Sequence, residues 1–130
     1  MLHTITQPNE YLLSLIKDDP VRPEIPLSDR VNHNSRIYVW MNGDETAAVE
    51  DMANMVESAT TAVFYTIWSY AAGAGRVLIQ EAQKSIETEF PGIQTYVTLS
   101  PKTEMARRFH LKNGARELRE NLNTINYIYK

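Results

Sequence analysis

Apolar and polar positions along the chain predict a mixed succession of strands and helices. Leu2, Thr4 and Thr6 alternate with His3 and Ile5, a short strand pattern closed by Pro8. Asn9 is placed to cap a helix in which Tyr11, Leu12, Leu15 and Ile16 form one apolar stripe. Asp18-Asp19-Pro20 ends that helix, because the residue before a proline is pushed out of the helical region. From Val21 to Ser35, prolines and turn formers (Pro23, Pro26, Asp29, Asn32, Asn34) exclude long regular structure. Such a stretch is either functional or a plain surface connection.

Ile37, Val39 and Met41 alternate with Tyr38 and Trp40 and run into Asn42-Gly43, a strong hairpin signal. The return segment is ambiguous, since Val49, Met52, Ala53 and Val56 have helical spacing. A hairpin demands a strand partner, so the expectation is a strand over Thr46–Met55. Thr61 to Trp68 is β-branched and aromatic almost throughout and reads as a strand buried on both faces. Ala71-Ala72-Gly73-Ala74-Gly75 then leads into a helix over Arg76–Phe90, with Val77, Leu78, Ala82 and Ile86 on one face. After Pro91-Gly92, Thr95–Leu99 makes another strand. Pro101 opens a helix to about Asn113, with Ser100 as its N-cap and Asn113-Gly114 as a left-handed C-terminal cap. Beyond Leu118, Tyr127 and Tyr129 share one face of a last strand, Asn126–Lys130. The fold class is α/β (mixed α+β), and residues 1–130 read as a single domain.

Composition narrows the function classes. The 43% of apolar and 22% of charged residues are ordinary for a soluble globular chain and argue against disorder. With no Cys there is no disulfide scaffold, thiolate zinc site or cysteine nucleophile. A net charge of −3 gives no nucleic-acid footprint. No apolar run approaches the roughly 20 residues of a membrane span, and no secretory signal is visible, so a cytoplasmic location is expected. His3 and His33 share no ligand spacing with His110 or with carboxylates, so no metal is expected.

Gly73-Ala74-Gly75 sits where a strand enters a helix, and main-chain N–H groups left free there suit a pyrophosphate. A tight turn would use the same glycines. The loop resembles the acyl-CoA-binding signature of the GNAT acyltransferase superfamily, although Tyr70 occupies that signature's Gln/Arg position. A narrower resemblance rests on several motifs in one order. They are Val21-Arg22 with Leu27 to Val31, Thr61 to Ile67, Glu89-Phe90-Pro91, Thr98-Leu99-Ser100-Pro101, Phe109-His110-Leu111-Lys112-Asn113-Gly114-Ala115 and Asn126-Tyr127-Ile128-Tyr129. Together these resemble the catalytic domain of malonyl-CoA decarboxylase.

The resemblance implies a central mixed sheet flanked by helices and splayed between the strands ending near Trp68 and Leu99. It implies CoA or an acyl-CoA thioester as ligand, its pyrophosphate on the main chain of Gly73, Ala74, Gly75, Arg76 and Val77. It implies a malonyl carboxylate contacted by Ser100, a carbanion protonated by His110, and Tyr129 near the same pocket. The sequence departs from that family in two ways. Gly73 stands where the family has a glutamate, and neither the helical insertion between its serine and histidine motifs nor its separate N-terminal helical domain is found.

Each residue also has a plain structural role open to it: Ser100 as a helix cap, His110 near a helix C-terminus, Tyr129 as packing. Arg107, Arg108, Lys112, Arg116 and Arg119 read as a solvated face, with phosphate contact the alternative. A helix capped by Ser100 would hold it roughly 15 Å from His110 at 1.5 Å rise per residue, too far for one small substrate. Three readings follow: decarboxylation of a malonyl thioester, acyl transfer from CoA to an amine, or a non-catalytic domain of the same fold. A homo-oligomer is compatible with all three.

Overall fold

The computed structural model describes residues 1–130 except 8, 15, 17, 18, 20–22, 33, 54–58 and 130; at residue 12 only the backbone is described. The expectations placed on Pro8, Leu15, Asp18, Pro20, Val21, Arg22, His33, Met55, Val56 and Lys130, and on the Leu12 side chain, lie outside the described residues.

The elements run β1 (Leu2–Ile5), α1 (Glu10–Ser14), a 3-10 turn (Leu27–Arg30), β2 (Arg36–Asn42), β3 (Glu45–Ala53), β4 (Thr61–Ser69), α2 (Ala74–Glu89), β5 (Thr95–Thr98), β6 (Ser100–Pro101), α3 (Glu104–Lys112), β7 (Arg116–Glu120) and β8 (Thr124–Tyr129). The strands form one sheet in the order β1-β2-β3-β4-β5-β8-β6, with β7 on β8. The β4–β5 pair is parallel and the others are antiparallel, with α2 as the crossover a parallel pair requires. This is the mixed α/β architecture expected.

Gly43 turns the β2–β3 hairpin with φ +62°, which glycine adopts without a Cβ clash. The helical spacing in β3 loses to pairing: β3 is hydrogen-bonded to β2 on one edge and β4 on the other, so tertiary ladders override propensity. The expected stripe is corrected at Tyr11, which is 71% exposed, and Leu13 of α1 packs on the core instead; Ile16, beyond the end of α1, is buried. In α2 the buried face is Leu78, Ile79, Ala82 and Ile86; Val77 is only half-buried. The strand β7 is missing from the sequence pattern because all five of its residues are exposed.

β4 is not buried on both faces. It alternates, and a bulge swaps what the alternation means. Asp51 pairs with Thr66 but Met52 with Phe64, leaving Tyr65 as an extra residue. Before the bulge Ala62 and Phe64 face the core beneath α2; after it, Ile67 packs there and Trp68 joins the opposite core. That second core, built on Ile5, Ile37, Val39, Val49 and Trp68, adjoins a polar anchor. Arg30 Nη1 donates to Asp19 Oδ2 at 2.7 Å and to Asp51 Oδ2 at 3.4 Å, and Nη2 donates to the Ile25 carbonyl at 2.9 Å. Asp51 Oδ1 accepts the main-chain N–H and the hydroxyl of Thr66, both at 2.6 Å.

Arg30 thus ties the segment before β2 to β3 and β4 beside the bulge. Removing one partner from a buried ion pair leaves an uncompensated charge, at about 3–5 kcal/mol. Arg30→Met is expected to lower unfolding free energy by that amount in urea denaturation. A loss below about 1 kcal/mol would show that the anchor contributes nothing to stability.

Candidate functional site

The sheet opens between β4 and β5. Their pairing ends at Phe64 and Thr98, and Leu99 N–H donates to the Phe64 carbonyl at 3.0 Å as the last link, while β4 continues to Ser69. Along β8, Tyr96 and Val97 pair with Tyr129 and Ile128, and Ser100 and Pro101 resume pairing with Ile125 and Thr124. Between them the Thr98 side chain replaces the ladder. Its Oγ1 accepts the Tyr127 N–H at 3.0 Å, and its carbonyl accepts Asn126 Nδ2 at 2.7 Å. Tyr70 N–H points at the Ala47 carbonyl of β3. By strand alternation, the N–H groups of Ile67 and Ser69 face the opening.

Ser100 and Pro101 are therefore strand, not helix start, which corrects the expected cap. Proline is tolerated there because β6 is an edge strand. The helix α3 begins three residues later, capped by Thr103, whose hydroxyl accepts the Ala106 N–H at 3.1 Å. The sequence signal for this cap was Thr103 followed by Glu104, an acid in the first turn. With the helix starting late, the predicted separation of Ser100 and His110 disappears: Ser100 Oγ lies 3.1 Å from His110 Nε2.

His110 Nδ1 lies 2.7 Å from the Tyr129 hydroxyl, so all three expected catalytic side chains meet in one chain of hydrogen bonds. The directions follow from the last link. Ser100 Oγ–H donates to Thr98 Oγ1 at 2.8 Å, so Ser100 must accept from His110, putting the ring proton on Nε2. Nδ1 is then the acceptor, and Tyr129 donates to it. The ring stacks on Tyr127, centroids 4.9 Å apart, and meets Phe109 and Tyr129 edge-on. Ser100, His110 and Tyr129 are each buried. Burial pushes the imidazole down to about 4, so it is neutral at pH 7. Burial, and then the charge of Glu50, push the Tyr129 phenol far above its usual value. Thr98, Tyr127 and Glu50 are the site neighbours that sequence reasoning missed. Thr98 and Tyr127 lay inside recognised motifs, but nothing in the sequence placed Glu50.

At the other side of the opening, Gly73 enters α2 in the left-handed region, φ +78°. Ala74 N–H returns to Ala71 and Val77 N–H to Gly73, which leaves the Gly73, Gly75 and Arg76 N–H groups without a main-chain acceptor among the described residues. Of the five residues expected to meet a pyrophosphate, these three leave their N–H groups open in this way. Gly75 has a further reason to be glycine: a Cβ there would lie 3.0 Å from Phe109 Cε1. Phe109 of α3 thereby packs onto the first turn of α2, next to His110 in sequence, and joins the glycine turn to the hydrogen-bonded trio. Arg107, Arg108, Lys112, Arg116 and Arg119 are all exposed, as expected of a solvated face. No helix among the described residues is long and apolar enough to cross a membrane.

No protein-family model and no curated protein matches the chain. Solved structures do. The chain is similar to malonyl-CoA decarboxylase from Agrobacterium vitis at 18% identity and TM-score 0.79, over 100% of this chain and 60% of that one. It is similar to malonyl-CoA decarboxylase from Rhodopseudomonas palustris at 26% identity and TM-score 0.58, over 88% of this chain and 33% of that one. It is also similar to the Campylobacter jejuni N-acetyltransferase PseH in complex with acetyl coenzyme A, at 16% identity and TM-score 0.73, over 100% and 97%. The chain spans less than two thirds of either decarboxylase and nearly all of the acetyltransferase. Its fold is the splayed mixed α/β fold of GNAT acetyltransferases and malonyl-CoA decarboxylases.

Proposed function

We propose that the chain, acting as a single domain, binds an acyl-CoA thioester in the opening between β4 and β5 and decarboxylates malonyl-CoA or a related malonyl thioester. The observation that carries this reading is the buried Ser100–His110–Tyr129 chain of hydrogen bonds on the β5 side of that opening. Gly75 and Arg76 N–H at the start of α2 suit the pyrophosphate, and the N–H groups of Ile67 and Ser69 suit the thioester carbonyl.

In this reading Ser100 turns its hydroxyl proton from Thr98 Oγ1 to the malonyl carboxylate and releases His110 Nε2–H, with no salt bridge to stabilise the bound carboxylate against CO₂ loss. When the C–C bond breaks, its electron pair delocalises onto the thioester oxygen, and a main-chain N–H stabilises the enolate. The carbon then takes a proton from His110 Nε2. A neutral ring can deliver that proton because Tyr129 stands ready to hydrogen-bond and protonate Nδ1 as Nε2 gives its proton away. Acyl transfer to an amine is the second reading, favoured by the near-complete coverage of an acetyltransferase. There the same relay would protonate the CoA thiolate.

Mass spectrometry of the protein incubated with malonyl-CoA, with and without amines, separates these. Acetyl-CoA alone supports decarboxylation, an acylated amine supports transfer, and neither product leaves a non-catalytic domain.

Arg76 is exposed at the N-terminus of α2. Arg76→Glu is expected to weaken CoA binding about tenfold by calorimetry without lowering the melting temperature, since an acid is welcome at a helix N-terminus. It is a cleaner probe than Gly75, where any side chain disturbs Phe109. Absence of wild-type CoA binding at millimolar ligand would end the proposal.

His110→Ala is expected to lower kcat for decarboxylation by more than about 10²-fold, and His110→Tyr to remain folded and inactive. Wild-type turnover in both variants would remove the histidine from the reaction.

The His110 ring also sets a pH dependence. Its folded value of about 4 lies below the ordinary imidazole value of 6.5, so between these the unfolded chain binds a proton the folded chain does not. Its contribution is complete above pH 6.5 and is lost as pH falls toward 4, by at most about 3 kcal/mol. The wild-type-minus-His110→Gln difference in unfolding free energy should show that slope; a flat difference would mean the ring titrates normally.

A further inference from the structure

The hydrogen-bonded trio has a direction that its own members do not set. Ser100 and Tyr129 each end in a hydroxyl that turns to donate or accept, and a neutral imidazole carries its one proton on either nitrogen. Run one way, Tyr129 donates to Nδ1 and Nε2–H donates to Ser100. Run the other way, Ser100 donates to Nε2 and Nδ1–H donates to Tyr129. Both arrangements are neutral and hold the same number of protons. The ring is enclosed by Phe109, Tyr127 and Tyr129, and its hydrogen-bond partners are both hydroxyls, so neither partner selects between them.

Thr98, one step beyond the trio, breaks the tie. It is buried at the end of β5, and its Oγ1 accepts both the Tyr127 N–H at 3.0 Å and the Ser100 hydroxyl at 2.8 Å. The Tyr127 donor belongs to the main chain and cannot reverse. With both acceptor sites of Oγ1 filled, the Thr98 proton points away from Ser100, and Ser100 is left to accept from the ring. Thr98 is also held in place. It is β-branched and stiff at χ1, and its carbonyl accepts Asn126 Nδ2 at 2.7 Å. Asn126 Oδ1 in turn accepts Asn121 Nδ2 at 2.9 Å. Valine has the same branching and suits a buried strand, so packing alone does not call for the hydroxyl.

We propose that Thr98 is the positioning residue that fixes the tautomer of His110, acting through Ser100 to keep the ring proton on Nε2. Its consequence for turnover rests on the decarboxylation reading. Only the Nε2–H tautomer presents a proton on the Ser100 side of the ring, where the malonyl group lies in that reading, and leaves Nδ1 bare to accept from Tyr129. Without the Thr98 acceptor, Ser100 turns its hydroxyl to Nε2, the ring proton sits on Nδ1, and Tyr129 becomes the acceptor. The ring then meets the substrate with a lone pair in place of a proton.

Proton–nitrogen NMR correlations of the full chain with isotopically labelled histidine, at neutral pH and without substrate, read the tautomer directly. The His110 signals are those missing from His110→Gln. The expected result is a protonated Nε2 and a bare Nδ1 in the wild type. In Thr98→Val the ratio of Nε2–H to Nδ1–H should fall about tenfold, the weight of one hydrogen bond, and Thr98→Ser should regain the wild-type pattern. A Thr98→Val ring that keeps Nε2–H overturns the proposal. That variant also deprives the Tyr127 N–H of its acceptor, so two further arms do not depend on its folding. A wild-type ring with its proton on Nδ1 overturns the proposal outright. In Tyr129→Phe the ring is expected to keep Nε2–H, and a change of tautomer there would make the phenol the determinant instead. With malonyl-CoA, Thr98→Val is expected to lower kcat about tenfold and Thr98→Ser to restore it; a reversed tautomer with wild-type kcat overturns the role in turnover. The expected NMR pattern in a wild type that forms no acetyl-CoA would overturn the decarboxylation reading while the Thr98 assignment stands.

Discussion

The interruption at Thr98 and Leu99, in the ladder that β5 and β6 successively make with β8, governs the rest of the structure. Leu99 turns its N–H to Phe64 of β4, while Thr98 satisfies Tyr127 of β8 with its side chain. A buried N–H without an acceptor would be costly, and Thr98 removes that cost while freeing the main chain to leave the ladder. The chain returns to β8 at Ser100, in the register it left. Two consequences follow together. The sheet opens beside β4, and Ser100 is held in a strand facing the helix that carries His110.

The tyrosine-rich interior beneath α2 gives the site its electrostatic character. Tyr127 stacks on the imidazole and Tyr129 hydrogen-bonds it, while Phe64 packs against Tyr96 and Tyr129. These rings exclude water, which keeps the histidine neutral and the phenol protonated. In such surroundings a proton moves along hydrogen bonds between neutral partners more cheaply than through charged intermediates. A salt bridge at Ser100 would have broken that neutrality.

The two ends of the site are coupled by packing. Phe109 lies over Gly75 while its neighbour His110 completes the hydrogen-bonded trio, so a shift of α3 presses on the first turn of α2. The β4 bulge has a comparable effect across the sheet. It turns Ile67 toward α2 and gives Thr66 to the Asp51–Arg30 anchor, so one extra residue serves both cores.

Local sequence determined the elements whose signals are strong and short in range: the Asn42-Gly43 hairpin, the apolar β4, the helix after the glycines and the Asn113-Gly114 turn. Motif order brought Ser100, His110 and Tyr129 forward, and with them the splayed sheet. Tertiary structure decided what local signals could not weigh. Residues of β3 with helical spacing became strand because two ladders outweigh propensity. Ser100 looked like a cap until pairing with Ile125 claimed it, which moved the helix start to Thr103 and brought the serine to the histidine. The strand β7 has no buried side chain to announce it. Glu50 was silent for the opposite reason: in an alternating strand a glutamate reads as a solvent-facing position, and only β2, β4 and α2 closing around it made it a buried acid.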